Sequence, residues 1–133
     1  MDFDKKKILR ICDANCNRAK EGLRVVEEYI RFYLNDAILL DEIRKIRHDL
    51  GLAITDIYQD LIKERDIFSD KGLDFKEKDR DTLKSMIIAN SKRAQEAMRV
   101  LEEYSKLLFY EKASIFKNLR FQMYDLEKQI YFE

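Results

Sequence analysis

A seventeen-residue segment occurs twice in this chain, and the repeat limits the folds that the chain can adopt. DANCNRAKEGLRVVEEY, residues 13–29, recurs as IANSKRAQEAMRVLEEY at 88–104, 75 positions later. Ten of the seventeen paired positions are identical. The identities include polar residues as well as apolar ones, so more than a hydrophobic pattern is preserved. Similarity at a fixed spacing is typical of a fold that is built from copies of one supersecondary unit.

Apolar residues within the repeat follow the period of an amphipathic helix. In the first copy they are Ala19, Leu23, Val26 and Ile30. The chain has no proline and only three glycines, so long segments are uninterrupted. The pattern predicts four helices, at about 4–34, 37–63, 80–109 and 112–131, with a loop over about 64–79. Asp36 is expected to cap the second helix.

The second helices of the two pairs are also related. IRKIRHDL at 43–50 aligns loosely with LRFQMYDL at 119–126, so the repeating unit is a helical hairpin. Two hairpins that cannot bury their apolar faces alone pack into a four-helix bundle with approximate two-fold symmetry. We therefore predict one all-α domain over 1–133, with repeats at about 4–63 and 80–131. A coiled coil is disfavoured because the apolar stripe does not follow a strict heptad.

Length and charge restrict the classes of partner. The 133 residues suit one domain with one core. The 26 basic and 26 acidic residues cancel, so no long-range field attracts nucleic acid or an anionic membrane. No apolar run approaches the ~20 residues that span a bilayer, and the start, MDFDKKKILR, lacks a secretory signal. We expect a cytoplasmic protein that binds neither nucleic acid nor membranes.

The repeated polar residues lie on or beside the apolar face of their helices. The pairs are Asn15/Asn90, Arg18/Arg93, Glu21/Glu96, Arg24/Arg99, Glu27/Glu102 and Glu28/Glu103. An amide and a guanidinium at the edge of a core cost free energy unless they have partners, which applies to Asn15 and Arg18. Across a pseudo-dyad, the two copies would form one cleft for a small anionic ligand. For Arg24, Glu27 and Glu28, a solvated charged face is an equally good interpretation.

The second helix contributes one more arginine. Arg47 falls in the apolar sector, between Ile43 and Leu50, where we expect it to contact a ligand or a buried partner. His48 lies off this face and is either solvent-exposed or lines a cleft beside Arg47. If Arg18 and Arg47 face a ligand as unpaired cations, alanine in their place should lower activity and spare the fold.

Four segments, in order, resemble a known family. They are DANCNRAKEGLRVVEEYIRF, IRHDL, RDIFSDKG and KRAQEAMRVLEEY. They closely resemble the helical domain often fused ahead of thiamine phosphate synthase, which is a monofunctional hydroxymethylpyrimidine phosphate kinase. The resemblance implies ATP-dependent phosphorylation of 4-amino-5-hydroxymethyl-2-methylpyrimidine phosphate to its diphosphate. One departure lies in the loop, where the family's Asp-Val-Gly is Asp70-Lys71-Gly72.

The implied chemistry suits the residues of the repeat. Phosphoryl transfer needs positioning, charge neutralisation and magnesium, and the acceptor phosphate oxygen is already ionised near neutral pH. The predicted catalytic, phosphate-binding residues are Arg18, Arg47 and Arg93. The predicted substrate-binding residues are Asn15, Asn90, Arg24, Arg99 and His48. The candidate magnesium ligands are Glu21, Glu28, Glu96, Glu103, Asp66 and Asp70.

Two other classes of function remain open. A non-catalytic helical module would bind a partner or sense the pyrimidine phosphate. An all-α nucleotide pyrophosphatase would need a cluster such as EExxE, and the acidic pairs at 27–28 and 102–103 lack the later acid. The resemblance implies the pyrimidine phosphate and ATP with Mg²⁺ as ligands. It allows two protein partners, a second copy of the chain and thiamine phosphate synthase, whose barrel of ~200 residues or more does not fit here.

Overall fold

Helices make up most of the computed structural model, which describes residues 2–133. The five α-helices are α1 (Lys5–Glu28), α2 (Ala37–Thr55), α3 (Tyr58–Lys63), α4 (Leu83–Leu108) and α5 (Ala113–Tyr131). A π-helical segment, Tyr29–Leu34, continues α1, and single 3₁₀ turns lie at Ile67–Ser69 and Tyr110–Lys112. Residues 2–133 contain no strand, which confirms the predicted all-α class.

The four long helices form two hairpins, α1 with α2 and α4 with α5. In the first, Arg47 of α2 reaches back to Glu27 near the end of α1. In the second, the Lys84 ammonium at the start of α4 lies 4.0 Å from the centre of the Tyr131 ring at the end of α5. The two helices of each hairpin therefore run antiparallel.

The hairpins pack together through both of their helices. Gln129 of α5 donates to Glu42 near the start of α2, at 3.0 Å. Lys112, just before α5, donates to Asp56 at the end of α2, at 2.8 Å. These two contacts make α2 and α5 antiparallel. Because each hairpin is antiparallel too, α1 and α4 also run in opposite directions where they meet.

Helix α1 approaches the backbone of α4 at Gly22. A Cβ atom on Gly22 would lie 2.9 Å from the carbonyl oxygen of Asn90 and 3.3 Å from the amide nitrogen of Ala94. Ala97, the counterpart of Gly22, is buried in α4. Small residues at both positions permit this close packing, and the buried apolar side chains of all four long helices form one core.

The break between the first two helices lies where the sequence predicted it. Asn35 has a left-handed backbone, with φ of 53°. The Asp36 carboxylate then accepts hydrogen bonds from the amides of Ile38 and Leu39, at 3.0 Å each. The predicted cap at Asp36 is confirmed.

The prediction of one helix over 37–63 is wrong. The chain turns at Asp56 and Ile57, which separates α2 from the short helix α3. Lys112 from the other hairpin holds Asp56, and Arg65 beyond α3 bonds to Asp13 of α1. These contacts between distant residues direct α3 onto the first half of α1, which local helical periodicity does not reveal.

The fourth helix, α4, begins later than the predicted residue 80. Thr82 is its N-cap, because the Thr82 hydroxyl accepts from the amide of Ser85 and the Ser85 hydroxyl accepts from the amide of Thr82. The non-helical segment therefore extends from the predicted loop at 64–79 up to this cap.

Within residues 2–133, no helix has the length and apolarity needed to cross a membrane. The domain limits and the superposition of the two halves stay predictions.

Candidate functional site

A groove of about 660 Å³ lies between α1 and α2, and we call it the helix groove. Its lining residues are Lys20, Glu21, Arg24, Arg47, His48, Gly51, Leu52 and Thr55. Four of these side chains carry basic nitrogens and only Glu21 carries a carboxylate. The groove therefore suits an anionic ligand, and it places His48 beside Arg47, one of the two locations that the sequence left open for it.

Arg47 is held at the base of this groove by Glu27. The Nε and Nη2 atoms of Arg47 donate to the two carboxylate oxygens of Glu27 at 2.8 and 3.2 Å. Arg24 adds a longer contact to Glu27, at 3.3 Å, and pairs with Glu28 at 3.1 Å. The Glu27 side chain is only 3% exposed. The interpretation that Glu27 lies on a solvated face is therefore wrong, and Arg47 is not an unpaired cation.

The second hairpin contains a related network. Arg99 pairs with Glu102 and Glu103, as Arg24 pairs with the two corresponding glutamates. Glu102 is buried and accepts from Arg120 of α5 at 2.8 Å. Each buried glutamate thus has an arginine from the second helix of its own hairpin. These ion pairs account for three of the repeated polar pairs, Arg24/Arg99, Glu27/Glu102 and Glu28/Glu103.

A second depression lies between the first half of α1 and the segment that follows α3, and we call it the loop groove. It consists of two adjoining cavities of about 360 and 180 Å³. The polar side chains that line it are Lys7, Arg10, Asp13, Asn15, Asn17, Arg18, Arg65, Asp66 and Asp70. Arg10 bonds to the backbone carbonyl oxygen of Asp66 at 3.1 Å, which attaches the segment to α1.

Asn15 and Arg18 find their partners within α1. The Asn15 amide donates to the carbonyl oxygen of Ile11 at 2.9 Å, and its oxygen accepts from Arg18 at 3.1 Å. Asn90 donates in the same way to the carbonyl oxygen of Met86. The buried Asn15 amide is therefore satisfied, and the exposed Arg18 guanidinium has further donors available at the loop groove.

The predicted single cleft is divided between the two grooves. Arg18 lines the loop groove, while Arg47 and His48 line the helix groove. Arg93 bonds to Glu77 of the segment before α4, at 3.1 Å. Both grooves open along α1. A smaller cavity, lined in part by Tyr58, extends the helix groove toward Arg65. The hydrogen bonds to Asp13 are the main cause that raises the pKa of Arg65, and Tyr58 raises it further.

The six candidate magnesium ligands do not come together at one place. Glu21 lines the helix groove. Glu28 and Glu103 pair with arginines of their own helices, and Glu96 is exposed on α4. Asp66 and Asp70 both line the loop groove. Across residues 2–133, no three His, Cys, Asp or Glu side chains converge to hold a metal ion. Mg²⁺ is commonly held by one or two carboxylates together with substrate phosphates, and the loop groove fits that requirement.

The two candidate magnesium ligands of the loop groove, Asp66 and Asp70, differ in the number of hydrogen bonds that they accept. Asp66 accepts from the Ser69 hydroxyl at 2.7 Å and from two backbone amides. These bonds, the Ser69 hydroxyl first, lower the pKa of Asp66, so it is ionised at neutral pH. Asp70 accepts from the amide of Gly72 through Oδ1 alone. Its other oxygen is therefore better placed to meet a cation.

Residues 10–129 match the sequence model of the ThiD2 family. The chain belongs to the ThiD2 family. It is 42% identical over 126 residues to a thiamine-phosphate synthase of Nostoc punctiforme, a match that covers 92% of this chain and 35% of that protein. It is 41% identical to a thiamine-phosphate synthase of Thermosynechococcus vestitus, with 94% and 36% covered. For the thiamine-phosphate synthase of Rhodopirellula baltica the identity is 42%, with 91% and 33% covered.

This ThiD2 chain spans about a third of the length of the curated relatives that it matches. No solved structure matches it. The family and these relatives support the part of the resemblance that concerns a helical domain of thiamine biosynthesis, and the kinase activity stays a prediction.

Several lining residues of the two grooves were not predicted from the sequence, among them Lys7, Arg10, Lys20 and Gly51. Lys7, Arg10 and Lys20 lie outside the strictly repeated positions, so no pattern distinguished them from other surface cations. Gly51 did carry a signal, because a glycine inside a helix is unfavourable and usually has a packing or functional reason. Beyond the adjoining helix backbone, a Cβ atom on Gly51 would meet nothing within 4 Å, so close packing does not explain this glycine.

Proposed function

We propose that this chain transfers a phosphoryl group from ATP to 4-amino-5-hydroxymethyl-2-methylpyrimidine phosphate, forming the diphosphate in thiamine biosynthesis. Membership of the ThiD2 family and the thiamine-phosphate synthase relatives support this pathway. The resemblance implies that this diphosphate is the pyrimidine substrate of thiamine phosphate synthase. Partnership with that synthase, through fusion or contact, is part of the same proposal.

The observation that carries the proposal is the pair of basic grooves along α1. A kinase of this kind must hold two phosphorylated substrates side by side, so that one phosphate oxygen attacks the other phosphorus atom. The helix groove offers Lys20, Arg24 and Arg47, and the loop groove offers Arg10 and Arg18. Two adjacent cationic grooves on one helix suit two phosphorylated ligands better than one.

The reaction requires little of the protein beyond position and charge. The acceptor oxygen belongs to a phosphate that is already ionised, so no general base has to remove a proton. Guanidinium groups stabilise the charge on the transferred phosphoryl group, as they do in other phosphoryl transferases. When bound with ATP at Asp66 and Asp70, Mg²⁺ would neutralise charge on the nucleotide phosphates.

The test is to incubate pure protein with the pyrimidine phosphate and ATP–Mg²⁺ and to follow ADP release. Phosphorus NMR of the product should show a diphosphate. The matched control is the unphosphorylated pyrimidine alcohol, for which we expect little turnover, because the arginines favour a dianionic ligand and an alcohol would need a base. Comparable turnover on the alcohol, or no ADP from the phosphate, would contradict the proposal.

A non-catalytic module associated with thiamine-phosphate synthase is the second candidate. The relatives are about three times as long as the match, so this domain accompanies other sequence in them. Thermal shift separates the classes: a kinase responds to ATP–Mg²⁺ and to the pyrimidine phosphate, a sensor only to the pyrimidine phosphate, and a partner module to neither. The pyrophosphatase alternative is less well supported by the sequence, because the acidic pairs at 27–28 and 102–103 lack the later acid of an EExxE cluster.

A further inference from the structure

The counterpart of the helix groove is closed in the second hairpin. Gln95 and Glu127 correspond in sequence to Lys20 and Gly51. The Gln95 amide donates to the Glu127 carboxylate at 3.0 Å, and Lys92 pairs with the same carboxylate at 3.0 Å. These bonds join α4 to α5 where the first hairpin leaves α1 and α2 apart.

Arg120 and Tyr124 complete the closure. Arg120 donates to the Tyr124 hydroxyl through Nη1 and to Glu102 through Nη2, both at 2.8 Å. Its side chain is 14% exposed, against 36% for Arg47. Tyr124 aligns with His48 of the first hairpin. The first hairpin therefore has an open groove at the place where hydrogen bonds and an ion pair join the helices of the second, which indicates that the repeats have different roles.

The open groove has a flat region at Gly51. Apart from its chain neighbours and the adjoining backbone of α2, no atom lies within 4 Å of the position that a Cβ would take there. Leu52 and Thr55 are next to it on α2, and Glu21 of α1 also lines the groove. A planar ring can approach the helix backbone at such a place because no side chain stands in its way.

Donors for a phosphate lie at the same groove. The contacts to Glu27 occupy Nε and Nη2 of Arg47, and among residues 2–133 no acceptor is within bonding distance of Nη1. Lys20, on the α1 wall of the groove, is a second cation. The Glu21 carboxylate can accept from an exocyclic amino group. A small heterocycle with one amino group and one phosphate matches this set of groups.

We propose that the helix groove binds the aminopyrimidine phosphate, one molecule per chain, with its ring over Gly51. This assignment rests on the proposed kinase function and deepens it, because it leaves the loop groove, with Asp66 and Asp70, to ATP–Mg²⁺. The phosphate lies toward Arg47 Nη1 and Lys20, and the amino group toward Glu21. The second hairpin then supports the first and binds no substrate.

Gly51→Leu tests the assignment without disturbing the core. The new side chain enters open space, and leucine is a better helix former than glycine, so the melting temperature should not fall. We expect the KM for the pyrimidine phosphate to rise at least ten-fold and the KM for ATP to change less than two-fold. The matched control is Glu127→Gln in the closed counterpart, which should leave both values unchanged.

Two results would overturn the assignment while the kinase stands: a rise in the KM for ATP alone, or no change in either KM. If the wild-type protein forms no ADP, the proposed function fails, and calorimetry with the pyrimidine phosphate tests the groove by itself. Binding at one molecule per chain that Gly51→Leu abolishes supports the groove. Binding that the variant retains, or at two molecules per chain, overturns it.

Discussion

The Arg47→Ala variant should be less stable than the wild type, although the sequence predicted that this substitution would leave the fold intact. The variant leaves the buried Glu27 carboxylate without the two hydrogen bonds that Arg47 donates. A buried charge that loses its partner is destabilising, whereas a buried charge that never had one can be removed at little cost. The structure thus reverses the expected effect on stability, because Arg47 is paired.

The magnitude follows from the geometry of the pair. Removing one partner of a buried ion pair costs ~3–5 kcal/mol. Here the Arg47 side chain is 36% exposed, and Arg24 remains 3.3 Å from a Glu27 oxygen. Solvent and Arg24 recover part of the loss, so we expect about 2–3 kcal/mol. For a domain of this size, that corresponds to a fall in Tm of roughly 6–12 °C.

Urea denaturation followed by far-UV circular dichroism measures the loss. The matched control is Arg24→Ala, because Arg24 contacts the same carboxylate from a half-exposed position and should cost no more than about 1 kcal/mol. The double variant Glu27→Leu with Arg47→Met replaces both charges by apolar groups and should recover most of the stability. If Arg47→Ala unfolds at the same urea concentration as the wild type, the reasoning about this pair is refuted.

Three further predictions concern α1 and its contact with α4. Arg18→Ala should lower turnover in the proposed kinase reaction ~100-fold. Its Tm should change little because Arg18 is exposed, and the control Arg31→Ala should change neither turnover nor Tm. Equal turnover in the two variants would show that Arg18 is an ordinary surface residue. Gly22→Ala should cost roughly 2 kcal/mol in urea, since its Cβ would lie 2.9 Å from a carbonyl oxygen of α4, and a variant as stable as the wild type would refute that contact. Burial raises the pKa of Cys12 to about 11 and of Cys16 to about 12, so a disulfide reagent at pH 8 should label them only after unfolding.

Features of the fold that depend on neighbouring residues were predictable. The helical period located the buried stripe of α1, and Asp36 supplied the cap that the second helix needed. Each of these follows from side chains within one or two helical turns, which a sequence displays directly.

Features that depend on distant residues were not predictable. The bend after α2 involves Asp56 and Lys112, which are separated by more than fifty positions in the chain. The division of the predicted cleft into two grooves depends on where the segment after α3 crosses α1. The closed second groove depends on Glu127 in place of Gly51. None of these residues stands in the strictly repeated segment.

The sequence by itself determined that this chain is helical and which charged residues its two copies share. Only the tertiary structure decided which of those charges are buried. Glu27 and Glu28 are adjacent and both repeated, yet Glu27 turns inward to an arginine of α2 and Glu28 stays at the surface. The physical reason is that a carboxylate can be buried only where a partner compensates its desolvation, and that partner, Arg47, comes from another helix.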